Sequence, residues 1–142
     1  MYYLPLILTI IANLFYHIAQ KHTSENINPV FSLFVTYLVA TVISAIILIF
    51  YKDDNPLREN IKELNWSAFL LGFAIVLLEL GFLLSYRAGW NISTASIIST
   101  TILTSLLLPI GICFFKESVN RINIIGIGVS VVGIILMNYT RK

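Results

Sequence analysis

The chain has 142 residues, 58% of them hydrophobic and 11% charged, against about half and a quarter in an ordinary soluble domain. That surplus is more than one globular core can take up, so a small soluble enzyme is excluded. A net charge of +2 with scattered basic residues excludes a nucleic-acid partner. The one cysteine, Cys113, allows neither an intrachain disulfide nor a cysteine metal cluster and reads as a small packing residue.

The apolar surplus must face a lipid bilayer. A spanning helix needs about 20 mostly apolar residues, and five stretches qualify: Tyr3–Lys21, Pro29–Tyr51, Trp66–Arg87, Ile92–Phe115 and Ile122–Tyr139. The sequence therefore predicts an all-α integral membrane protein with five transmembrane helices in one domain, 1–142. All basic residues lie outside these stretches or at their ends, and Glu79 is the one acidic residue inside a stretch.

The first stretch lacks a basic leader and an A-x-A-like cleavage site, and it carries Asn13, His17 and Gln20, so a permanent helix is expected rather than a signal peptide. Asn13, Tyr16, His17 and Gln20 recur at i, i+3, i+4 and i+7, which is one stripe of a helix. The second stretch carries a small and polar face: Ser32, Thr36, Tyr37, Ala40, Thr41 and Ser44. In the one long connection, Lys52–Asn65, Asn55 can cap a helix with Pro56 at its first position, and Leu57, Ile61 and Leu64 follow at helical spacing. A short interfacial helix fits there, as does a solvated linker.

The third stretch has Gly72, Glu79 and Tyr86 every seven residues. It ends at Arg87, near Trp90, which reads as an interfacial anchor or as the rim of a substrate site. The fourth presents Ser93, Ser96, Thr100 and Thr104 on one face, and Pro109 removes a backbone bond and bends it. The fifth carries Gly126 and Ser130, a small-xxx-small pair suited to close helix contact. Asn-x-Ser/Thr sequons at Asn65, Asn91 and Asn138 lie too close to the spans to be more than chance.

With the N-terminus inside, the polar sets of the first four helices all lean towards one leaflet. They outline a polar cavity open beside the loops 21–28 and 88–91. By helix rise, Glu79 lies roughly 4 Å and His17 roughly 8 Å from the centre of its span. The hydroxyls can instead serve to join helices. A carboxylate at that depth must be neutralised, paired or hydrated, which makes Glu79 either a proton or cation site or a structural acid. His17 could bind substrate, pair with Glu79 or bridge helices. No cofactor and no metal is expected, since no Cys/His grouping exists. No phosphate loop or nucleophile elbow is present, so the chain is not expected to be an enzyme.

The Lys/Arg count either side of the membrane is almost even. Lys52, Arg58, Lys62, Lys116 and Arg121 face Lys21, Arg87, Arg141 and Lys142, which permits a weak N-inside topology or insertion both ways.

The run Phe114-Phe115-Lys116-Glu117-Ser118-Val119-Asn120, followed by a helix with Gly126 and Gly133 seven residues apart, resembles the repeat signature of the EamA-like family in the drug/metabolite transporter superfamily. Tyr86-Arg87-Ala88-Gly89 and Ser93-Thr94-Ala95-Ser96 look like that family's loop between helices three and four. The resemblance implies one five-helix inverted-repeat unit of a drug/metabolite transporter fold, half the size of two-repeat members. It would pair with a second copy of itself in the inner cell membrane as a multi-pass protein. It would export or exchange small-molecule substrates, metabolites or drug-like solutes, by alternating access in an antiparallel, dual-topology homodimer. Asn13, Tyr16, His17, Tyr37, Glu79, Tyr86, Trp90, Ser96 and Thr100 would then line the site or its rim, with Glu79 carrying the coupling proton or cation. Glu79 and His17 depart from the family pattern and point to this protein's own solute. The small multidrug resistance family, usually with four spans, is similar in logic. The alternative class is a non-transporting membrane subunit that stabilises a partner membrane protein.

Overall fold

The computed structural model describes residues 2–51, 57–116 and 120–139. Among them the chain forms six helices and no strand: α1 Leu4–His22, α2 Pro29–Phe50, α3 Leu57–Glu63, α4 Trp66–Arg87, α5 Ile92–Phe115 and α6 Arg121–Tyr139. The long helices begin and end within one residue of the stretches expected from the sequence. Four of them, α1, α2, α4 and α5, are long and apolar enough to cross a bilayer, while α6 carries a shorter apolar run, Ile122–Gly133. The expected Asn55 cap with Pro56, and Glu117-Ser118-Val119 of the repeat signature, lie outside the described residues.

The helix starts follow from local chemistry. Asn28 Oδ1 accepts from the backbone N–H of Val30 (2.9 Å) and Phe31 (3.3 Å), and Pro29 supplies the first helical residue, so α2 opens on a filled cap. Asn65 caps α4 by accepting from Ser67 N at 2.9 Å, and the Ser67 hydroxyl bonds the same oxygen. The Asn65 sequon is thus a capping signature, an Asn before the helix and a Ser in its first turn. Asn91 also holds the cap position of α5, without a side-chain bond. The chain leaves α4 through Gly89, whose φ of 91° suits a residue without Cβ.

Hydroxyls along the spans bond back to their own helix. Thr9 donates to Pro5 O, Thr41 to Tyr37 O and Ser85 to Gly81 O, and Thr104 donates to Thr100 O, Ser105 to Thr101 O and Ser130 to Gly126 O. A hydroxyl satisfied in this way is at home in hydrocarbon.

The chain divides into two compact units, Met1–Gly89 and Trp90–Lys142. In the first, α4 packs against both α1 and α2; in the second, α5 packs against α6. The core of the first unit is small: Leu33 of α2 and Leu83 and Tyr86 of α4 are buried, together with His17 of α1. Most other large apolar side chains of the spans are exposed, as lipid-facing residues are.

Candidate functional site: a polar cavity among α1, α2 and α4

Tyr16 and His17 are neighbours on α1, about 100° apart around the helix, and they hydrogen-bond different partners. His17 turns to α4. Its Nδ1 is 2.8 Å from the Tyr86 hydroxyl in a hydrogen bond between two buried side chains. Phe82 closes this contact, its ring centroid 4.8 Å from that of His17 and edge-on to it. The two helix ends are then tied by charge. Lys21 Nζ donates to Tyr86 O (3.2 Å) and lies 5.9 Å from the Tyr86 ring centroid. Arg87 Nη2 donates to Ser24 O (2.9 Å) and Ile27 O (2.8 Å), gripping the loop between α1 and α2. Cations at a helix C-terminus also complement its dipole.

Tyr16 is also edge-on to Phe82, at 6.1 Å between ring centroids, and lines a cavity of about 100 Å³. α1 contributes Tyr16, Gln20 and, just past its end, Thr23; α2 contributes Ser32 and Thr36; α4 contributes Glu79. Leu33 and Leu83 form apolar wall. Gln20 Nε2 donates to the Tyr16 hydroxyl at 3.4 Å. Tyr37 of α2 comes close enough to Glu79 to interact with it, yet not in hydrogen-bonding geometry: the Tyr37 hydroxyl and Glu79 Oε2 are both buried without a hydrogen-bond partner. Tyr16 is the second tyrosine within electrostatic reach of that carboxyl group. Thr23 and Ser32 place the cavity's upper end beside the loop 23–28, and Glu79 lies deeper.

The residues singled out from the sequence therefore separate into three groups. Tyr16, Tyr37 and Glu79 come together in or beside the cavity. His17 and Tyr86 bond each other. Asn13 is exposed beside Leu8, Thr9 and Ala12 on the surface of α1. Trp90, Ser96 and Thr100 belong to the second unit, where the carbonyl of Ser96 accepts from Ser99 and that of Thr100 from Thr104. Thr23 was not among the expected residues. It continues the spacing from Tyr16 and Gln20 as i, i+4, i+7, two residues beyond where the apolar stretch stops.

A membrane helix bundle with an acidic, hydroxyl-lined cavity is the architecture of a solute-handling membrane protein. The chain matches the EamA-like transporter family over residues 2–139, and it belongs to that family of membrane transporters. No curated protein and no solved structure matches it.

Proposed function

We propose that this protein is a secondary transporter of small metabolites or drug-like solutes, with Glu79 as its coupling residue. The observation that carries the reading is the cavity among α1, α2 and α4, in which a buried carboxylate oxygen lacks a partner. A charge held there is costly unless a proton, a cation or a solute compensates it. Glu79 can therefore exchange one compensating group for another as access alternates. Tyr16 and Tyr37 flank it and take part in binding, and Asn13 belongs to the same face of α1. His17 and Tyr86 hold α1 to α4 behind the cavity, so they position the site. Trp90, Ser96 and Thr100 make up the polar start of the second unit. In this reading α6 completes five spans in a single domain, and two copies pair antiparallel in the inner cell membrane. The pair supplies the inverted symmetry that alternating access uses.

The test is solute flux into vesicles reconstituted with wild type or Glu79→Gln. Gln keeps the shape and removes the titration, so the variant is expected to fold but to lose pH-dependent flux. Identical pH profiles would remove Glu79 from the mechanism. In the same vesicles, cysteine labels at the termini on a Cys113-free background are expected to react from both sides. A uniform orientation would exclude the antiparallel pair while leaving the role of Glu79 intact.

A further inference from the structure

Two of the hydroxyls around the cavity have already used their protons. Thr23 Oγ1 donates to Ala19 O at 3.1 Å and Thr36 Oγ1 to Ser32 O at 3.0 Å. What these two threonines can offer a ligand is lone pairs. Gln20 donates an amide proton to Tyr16, which leaves its carbonyl oxygen as an acceptor. Glu79 Oε2, buried and without a partner, is a further acceptor and brings a negative charge when ionised. No Lys, Arg or His lines the cavity; Lys21 donates to Tyr86 O, and Arg87 donates through Nη2 to the carbonyls of Ser24 and Ile27 while its Nε is buried without a partner. The ring nitrogen Nδ1 of His17 is held by Tyr86. The cavity thus offers several acceptors and one negative charge with no cation lining it, beside the O–H groups of Tyr16, Ser32 and Tyr37.

We infer that the cavity recognises the head group of a primary ammonium compound, with Glu79, Thr23 and Thr36 as its acceptors. An ammonium group carries a positive charge and three N–H donors, which complements this set. An anion would meet the charge of Glu79 with no cation in the lining to offset it. A quaternary ammonium group has the charge and no N–H to give. Size agrees, because a dry cavity of roughly 150 Å³ holds a benzene ring, and about 100 Å³ admits a head of a few heavy atoms. When Glu79 is protonated, arrival of the ammonium ion displaces the carboxyl proton to water, and one carboxylate–ammonium pair remains. Only the Glu79 O–H bond breaks, so charge balances and one proton leaves for each cation bound. Tyr16 and Tyr37 are the titratable groups that face Glu79 from α1 and α2.

The inference rests on reading this cavity as the solute site, and calorimetry on the purified full-length protein separates the two. The probes are propylammonium, tetramethylammonium, propionamide, propionate and sodium. Propylammonium is expected to bind saturably and to release protons at mildly acidic pH. Glu79→Gln is expected to weaken it about ten-fold or more, the scale of a lost charge-assisted hydrogen bond, and Thr36→Val to weaken it to a smaller degree. If Glu79→Gln fails to fold, Thr36→Val and the ranking of probes on wild type still decide. Equal or tighter binding of any other probe, absence of propylammonium binding, or propylammonium binding indifferent to both substitutions would overturn the inference. Glu79-dependent flux of a neutral or anionic solute would overturn it too, while leaving the transporter reading in place.

Discussion

The two units of the chain solve the same problem, polar side chains in hydrocarbon, in different ways. In the α5–α6 hairpin the hydroxyls of Ser99, Thr104, Ser105 and Ser130 are satisfied by carbonyls of their own helix. In the first unit that local solution coexists with bonds between helices. His17 reaches Tyr86, Lys21 reaches the end of α4, and Arg87 reaches the loop between α1 and α2. A self-satisfied hydroxyl constrains nothing beyond its own turn, whereas a bond between helices fixes the spacing of two elements and hence of a cavity between them.

The comparison can be broken by substitution. The largest effect is expected at Leu83, which is 1% exposed and serves both as core and as cavity wall. Leu83→Ala should cost about 2–4 kcal/mol, read as loss of thermal or denaturant stability in detergent, and a neutral outcome would mean that the packing of the first unit does not set its geometry. Next comes the tether. Tyr86→Phe should destabilise by about 1 kcal/mol, and a double-mutant cycle with His17→Phe should return a coupling of about 0.6–1.7 kcal/mol; zero coupling would reduce the tether to coincidence. The smallest effect belongs to the second unit. Thr104→Ala should stay within about 0.5 kcal/mol, and a larger loss would show that the self-bonded hydroxyls also hold helices together.

Much of this arrangement was legible in the sequence. Helix ends were, because the apolar runs are long and their limits are sharp; the caps at Asn28 and Asn65 were seen only in the structure. The stripe Asn13-Tyr16-His17-Gln20 grouped the polar residues of α1, but periodicity could not divide it. Adjacent residues on one stripe take different roles, so Tyr16 lines the cavity while His17 bonds Tyr86. The pairing of His17 with Tyr86 spans 69 positions, and spacing within one helix carries no trace of it. Thr23 was missed because it sits outside the apolar stretch, where hydropathy no longer selects it. The hydroxyl-bearing face of α2 was read as one face. The direction of each O–H, which decides what the cavity can accept, depends on backbone geometry that composition does not contain.

The long separation between His17 and Tyr86 has a consequence for biosynthesis. A chain made N-terminus first delivers α1 to the bilayer well before α4 exists. During that interval the imidazole of His17 has to find water, lipid head groups or another part of the chain. α5 enters with the hydroxyls of Thr104 and Ser105 already closed on their own backbone. Insertion of the first unit is therefore unfinished until the last turn of α4 has emerged, and a chain stalled before residue 86 would present the half-made site of α1 and α2 to the quality-control machinery of the membrane.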